Sequence, residues 1–132
     1  MATWDQVSNF LKSNFETKEG EGDFLQVLVD FGERSQLVFV AKRDLTKINN
    51  NFGVWLELAS PIGKLPSSKL DSVLEKLGDN YCGGLVKIGD DYYVSHSMPI
   101  EDLSEGELKK PLLFIAIIAD LMEKEFIGGD TY

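Results

Sequence analysis

The sequence predicts an α+β domain in which helices gather on an antiparallel sheet, and three patterns support this fold. From Phe24 onward apolar residues alternate with other residues, as in strands that bury one face. A second pair of apolar runs, Gly84–Ile88 and Tyr92–Met98, is separated by the turn Gly89-Asp90-Asp91. Segments with helical signals precede, separate and follow these strands. The predicted order is helix, three antiparallel strands, helix, two strands, helix, in a single domain of residues 1–132.

The first helix is predicted to begin after Thr3, whose side chain can cap it because Gln6 follows three residues later. Its apolar residues recur at helical spacing, and they are Trp4, Val7, Phe10, Leu11 and Phe15. The polar segment Glu16–Gly22, which contains two glycines, is predicted to be a loop.

Three strands are predicted next, at Phe24–Phe31, Gln36–Lys42 and Gly53–Ser60. The first and third show alternating apolar residues, and the second has the β-branched and aromatic content that strands favour. The short turn between the first two favours a hairpin. Alternation divides their side chains between two faces of the sheet. We expect the helices to cover the face that carries Leu25, Val27, Val29, Leu37, Phe39, Leu56 and Leu58. The second face is then expected to carry Phe24, Leu28, Val38, Val40 and Trp55.

A second helix is predicted after the breakers Pro61, Gly63 and Pro66, with Ser67 or Ser68 as its cap and Gly78 as its end. Its buried residues are predicted to be Leu70, Val73, Leu74 and Leu77.

The last helix is apolar around most of its circumference, because Leu112–Ala119 are eight uninterrupted apolar residues. Such a helix has to be covered on several sides. Ser104 and Glu107 form a capping box ahead of it. Proline suits a first helical position and disrupts a helix interior. We therefore expect a short turn at Ser104 and a main helix that starts near Pro111.

The second face of the sheet is too apolar to be simply exposed to water, and this predicts an interaction site. Exposed apolar patches on soluble proteins usually mark interfaces. Its predicted binding residues are Phe24, Leu28, Val38, Val40 and Trp55. Two explanations stay open at this point, since either another part of the same chain or a partner, including a second copy, would cover the face. The unpaired edges of the sheet would also allow an extended segment to add as a strand.

The composition excludes several classes of partner. The net charge of −9, with no basic stripe, repels phosphate backbones, so we expect no nucleic acid. No apolar stretch approaches the roughly 20 residues of a membrane span, and the start lacks a secretory signal. The single cysteine, Cys82, excludes an intramolecular disulfide and fits a reducing compartment. We therefore expect a cytoplasmic protein without a membrane partner.

No residues have catalytic or metal-binding spacing. Cys82 and His96 could be paired as nucleophile and base, yet no motif surrounds Cys82 and the predicted hairpin does not bring the two together. The loop Asp44–Asn51 lacks the ligand order of a calcium loop. Asp90-Asp91 is a turn, and Gly128 ends the last helix. We expect no enzyme, no catalytic residue, no cofactor and no metal.

Several short motifs run from Leu74 to Asp120. They are Leu74 and Leu77 on a helix, Asn80, Gly83-Gly84, Asp90-Asp91, Met98-Pro99, Ile100–Ser104, Glu107-Leu108 and Ala119-Asp120. With the element order, small size and acidic balance, this series resembles the YbjN family, which is related to the Tir-chaperone (CesT) family and shares its type III secretion chaperone fold. The N-terminal half matches in element order only. The resemblance implies a non-enzymatic homodimer that holds an extended segment of another protein on apolar patches, or a regulator on the same scaffold.

The sequence thus favours a chaperone-like or regulatory protein-binding module. The alternative is a small-molecule sensor or enzyme with a pocket between the sheet and the helices.

Overall fold

Within the described part of the chain, six antiparallel strands form one sheet, and three helices pack on one of its faces. The computed structural model describes residues 1–79 and 83–127. The helices are α1 (Trp4–Asn14), α2 (Ser67–Gly78) and α3 (Glu105–Met122), and α3 continues as a π-helical turn, Glu123–Ile127. The strands are β1 (Glu16–Glu19), β2 (Phe24–Asp30), β3 (Ser35–Asp44), β4 (Val54–Gly63), β5 (Gly84–Ile88) and β6 (Asp91–Pro99). The α+β class is confirmed, with one strand more than expected.

The additional strand is β1, which forms where the sequence predicts a loop. It pairs with β2 from Glu16 opposite Leu28 to Glu19 opposite Leu25, so backbone hydrogen bonds form the strand without an apolar face. The sheet order β1-β2-β3-β4-β6-β5 places β1 and β5 at the two edges. β4 also runs beyond its predicted end at Ser60, with an irregularity in register between Pro61 and Gly63.

The first helix begins as the sequence predicts. The Thr3 hydroxyl accepts a hydrogen bond from the Gln6 amide at 3.2 Å, and Oε1 of Gln6 accepts one from the Thr3 amide at 3.2 Å. This capping box satisfies two amides that the first helical turn leaves without partners. Val7 and Leu11 are fully buried beneath the helix.

The second helix differs from its prediction at its start and on its outer side. Pro66 is the N-cap, and no side chain caps the helix, so the predicted caps at Ser67 and Ser68 are wrong. Val73 and Leu77 are buried as predicted, whereas Leu70 is half-buried and Leu74 is exposed.

The last helix begins at Glu105, and Pro111 lies inside it, so the predicted start near Pro111 is wrong. A proline in a helix interior removes a hydrogen bond and costs about 3 kcal/mol. Leu108 before it and Leu112 after it are both fully buried in one cluster. We infer that packing on both sides of the proline keeps the helix continuous.

The hydrophobic core lies between the sheet and the helices, in two adjoining clusters. The larger joins α1 and the first half of α3 to β2, β3 and β4, for example through Leu11, Leu58 and Leu112. The smaller joins α2 and the second half of α3 to β4 and β6. All described helices therefore pack on the same face of the sheet. The outer side of α3 keeps Phe114, Ile117 and Leu121 exposed.

The cap of α3 makes stability depend on pH. Hydrogen bonds from Ser104, first its hydroxyl and then its amide, hold the pKa of the Glu107 carboxyl below its ordinary value of 4.5. Ionised Glu107 therefore stabilises the fold above pH 4.5, and this contribution is lost as the pH falls through the lower pKa of the folded state.

We expect Glu107→Gln to lower the urea midpoint at pH 7, because glutamine keeps the cap but not the charge at the helix start. The difference from the wild type should shrink towards pH 3, well below the ordinary value of 4.5. Glu75→Gln on the exposed side of α2 controls for the loss of one negative charge. A difference that is equal at both pH values would contradict the expectation.

Candidate functional site

The face of the sheet opposite the helices carries a group of large apolar side chains, and we call it the open face. Six large side chains of this face are half-buried: Phe24, Leu28, Leu37, Phe39, Trp55 and Tyr93. None of them belongs to the clusters that the described helices form with the sheet. No described helix, within residues 1–79 and 83–127, packs on this face.

The structure places three of the predicted binding residues on the open face and corrects the other two. Phe24, Leu28 and Trp55 lie there, whereas Val38 and Val40 are fully buried against the helices. On β3, Leu37 and Phe39 lie on the open face instead, so the prediction that these two residues face the helices is wrong.

The reason for this exchange is the turn between β2 and β3. The Phe31 amide donates a hydrogen bond to the Arg34 carbonyl at 2.8 Å, so the turn proper contains only Gly32 and Glu33. Gly32 has a φ of 93°, which glycine adopts without strain. Across a two-residue turn, an odd-numbered residue always lies opposite an even-numbered one, and Val27 therefore shares its face with Val38.

Three aromatic rings form a row across the middle of the open face. The rings of Phe24 and Phe39 have centroids 5.6 Å apart, and those of Phe39 and Tyr93 are 6.1 Å apart. Ala59 of β4 lies opposite Phe39, and its small side chain leaves room for the rings to approach across that strand. The row offers rigid apolar area at little cost in side-chain entropy, as aromatic contacts do at interfaces.

The phenol of Tyr93 adds one polar group to this row. Partial burial and then the Asp91 carboxylate raise the pKa of Tyr93 above its ordinary value of 10.0. The hydroxyl is therefore protonated at neutral pH and can donate a hydrogen bond to a bound segment.

Trp55 lies near one end of the open face, at the start of β4. Its indole Nε1 donates to the Phe52 carbonyl at 2.7 Å, so the polar atom of the ring is satisfied within the chain. Beside it, Arg43 and Glu57 form an ion pair of 3.0 Å. An apolar surface with polar groups at its margin is the usual composition of a protein interface.

The two edges of the sheet differ in chemistry. β1 is short and exposes the charged residues Glu16, Lys18 and Glu19, and these features protect an edge from pairing. β5 carries one charge, on Lys87, while Val86 is 38% exposed and Ile88 is 54% exposed. An apolar edge of this kind is a template for pairing with another strand.

A surface cavity of about 640 Å³ lies between β6, residues 101–104 and the first turns of α3. Its lining includes the apolar residues Met98 and Pro111 and the acidic residues Glu101 and Asp102. No sequence pattern predicts this cavity, since the segments that line it meet only in the folded chain. The alternative prediction is a pocket between the sheet and the helices, and this cavity is lined by residues of β6 and α3.

His96 also lines this cavity, while Cys82 and Gly128 lie outside the described residues. Across residues 1–79 and 83–127, no three His, Cys, Asp or Glu side chains converge as metal ligands would. No helix in this part of the chain is long and apolar enough to cross a membrane.

Comparison with known proteins adds no family to these observations. No protein-family model matches the chain, and no curated protein matches it significantly.

Proposed function

We propose that this protein is a non-enzymatic protein-binding module, chaperone-like or regulatory, which holds a segment of a partner polypeptide on its open face. The observation that carries the proposal is the row of Phe24, Phe39 and Tyr93 on a sheet face that no described helix covers. A sheet face of this composition normally packs against another layer. The partner segment supplies that layer.

The resemblance to the YbjN and Tir-chaperone families supports the chaperone-like form of this proposal. It implies a homodimer that binds an extended segment, and we place this homodimer in the cytoplasm because a chain with a single cysteine fits a reducing compartment. The open face suits such a segment, because alternate side chains of an extended chain would contact the aromatic row while the others face solvent.

A display library of random peptides tests the proposal without knowledge of the natural partner. The immobilised wild-type protein is used for selection, and the Phe39→Asp variant removes peptides that bind elsewhere. We expect enriched peptides with apolar residues at every second position. A selection that enriches no sequence, or enriches the same sequences on both proteins, contradicts the proposal.

We propose that the second copy of the homodimer adds at the β5 edge. An antiparallel pair of β5 strands centred on Val86 places Lys87 opposite Leu85 of the other copy, so the two lysines do not face each other. This register keeps the open faces of both copies on one side of the continuous sheet, because opposed residues share a face. The arrangement is isologous, as a two-fold dimer requires.

The exposed side of α2 supports the same interface. Two lysines of α2 contact the π-helical turn. The Lys69 ammonium donates to the Phe126 carbonyl at 2.7 Å, and Lys76 forms an ion pair with Glu125. Helical geometry places Leu74 on the opposite flank of α2 from these lysines. Because α2 contacts β5, we infer that this exposed leucine faces the β5 edge.

We expect the wild-type protein to have the mass of two chains in sedimentation experiments at micromolar concentration. Val86→Lys should give the mass of one chain, because two lysines would face each other at the centre of the strand pair. Ile48→Lys, in the exposed loop between β3 and β4, is the matched control and should stay dimeric. A monomeric wild type, or a dimeric Val86→Lys variant, would show that β5 is not the interface.

A further inference from the structure

We infer that the surface cavity between β6 and α3 binds an arginine side chain of the partner polypeptide, an inference that rests on the proposed function. The cavity has about 640 Å³, within the ordinary range of roughly 300–1,000 Å³ for ligand sites. This volume accommodates a long side chain together with its adjoining main chain.

The carboxylates of the cavity outnumber the cations beside it, although the chain compensates one of them in part. The Met1 ammonium donates to the carbonyl of Leu103, a lining residue, and the Glu107 carboxylate accepts from the Ser104 amide at 3.1 Å. Glu101, Asp102 and Glu107 line it, and Lys110 is the single lysine or arginine among the lining residues. Within residues 1–79 and 83–127, neither Glu101 nor Asp102 forms an ion pair. The charge of the cavity therefore favours a cationic occupant.

The backbone adds a carbonyl oxygen, which accepts hydrogen bonds as the carboxylates of the cavity do. Pro111 has no N–H, so the Glu107 carbonyl receives no helical hydrogen bond from position 111, and both residues line the cavity. Ser104, whose hydroxyl accepts from the Glu107 amide at 3.1 Å, lines it as well. Carboxylates and a carbonyl together require an occupant with several donors.

Arginine meets these requirements better than lysine does. Its guanidinium has five donors in a planar fork, and it keeps its charge when partly desolvated. Its aliphatic stem can pack on Met98, Pro99 and Pro111, which form apolar parts of the lining. The net charge of −9 also attracts a basic segment from a distance.

Titration of the full-length ¹⁵N-labelled protein with N-acetyl-arginine methylamide tests this inference by NMR. We expect saturable shifts confined to the amides of residues 96–111, with a dissociation constant in the millimolar range that rises with salt. N-acetyl-norleucine methylamide, which has a similar stem and no charge, should cause none of these shifts. Glu101→Gln/Asp102→Asn should weaken arginine binding by about tenfold or more.

Two properties of the variants separate a loss of binding from a loss of fold or of overall charge. Asp102 has a φ of 58°, a conformation that asparagine also tolerates, so the double variant should retain the fold. Asp71→Asn/Glu75→Gln on α2 makes the same change in charge at a distance and should bind the arginine probe normally. Shifts that do not saturate, that the norleucine probe also causes, or that persist in the double variant would overturn the inference.

The probe needs no partner, so this test is separate from that of the proposed function. Phe39→Asp should bind the arginine probe as the wild type does. If the probe fails while selected peptides still bind the open face, only the arginine site is refuted. If the peptides fail while the probe binds, the open face is refuted as the binding surface.

Discussion

Phe39→Asp is expected to weaken binding of a peptide selected on the wild-type protein by about a hundredfold, and to leave the protein folded. Phe39 is the central ring of the aromatic row, 5.6 Å from Phe24 and 6.1 Å from Tyr93. Central aromatic residues dominate binding at interfaces, where truncation often costs about 2 kcal/mol or more, and each 1.4 kcal/mol is tenfold in affinity. In the free protein the new carboxylate stays in contact with water, so the loss of stability is limited.

Two further substitutions control this result. Ile48→Asp introduces the same charge at a side chain that is 73% exposed in the loop between β3 and β4, outside the aromatic row, and it should not change the affinity. Val38→Asp changes the neighbouring residue on β3, which is fully buried in the core, and it should unfold the protein. Fluorescence anisotropy of the labelled peptide and circular dichroism provide the two readouts.

The result would contradict our account if Phe39→Asp unfolds the protein in the same way as Val38→Asp, because Phe39 would then belong to a covered core. Trp55→Asp, near the end of the open face, provides a second test of the same surface. It should also weaken binding and retain the fold.

Arg34→Leu is expected to destabilise the protein by about 3–5 kcal/mol. The guanidinium of Arg34 contacts Asp120 Oδ1 at 2.8 Å and Glu123 Oε1 at 3.5 Å, and Glu123 is 0% exposed. These contacts tie the turn between β2 and β3 to the end of α3. Removal of the cation leaves two carboxylates close together in a mostly buried site, which is far more costly than loss of a surface pair.

Arg43→Leu is the matched control, because Arg43 forms an exposed ion pair with Glu57 at 3.0 Å. Its loss should change the free energy of unfolding by about 1 kcal/mol or less. Urea denaturation at pH 7 measures both variants. If both variants lose a similar and small free energy of unfolding, the prediction is contradicted, because Arg34 would then not compensate the buried carboxylates.

Alternation along β2 and β4 was sufficient to find part of the open face from sequence. Phe24, Leu28 and Trp55 lie where the apolar pattern of their own strands places them. Alternation within β3 separates its side chains into two sets, but it does not show which set lies on the same side of the sheet as Val27 of β2. The prediction for Val38 and Val40 is wrong for this reason. The turn decides this, and Gly32-Glu33 could have indicated an odd-to-even register.

Other features depended on tertiary contacts that no local pattern records. Glu16–Glu19 has no apolar residue, and it becomes a strand only because the edge of β2 offers it backbone partners. Pro111 would end an isolated helix, yet Leu108 and Leu112 are buried on both sides of it. The acidic cavity likewise needs β6 and α3 to meet before it exists.

The most direct test of the central claim is photo-crosslinking from the open face in the native cells. p-Benzoylphenylalanine replaces Phe39, a change that keeps an aromatic ring, and in a control protein it replaces the exposed Ile48. We predict an adduct between position 39 and one partner polypeptide, mapped by mass spectrometry to a single apolar segment, and no such adduct from position 48. No adduct from position 39, an adduct only within the same chain, or identical adducts from both positions would contradict the claim.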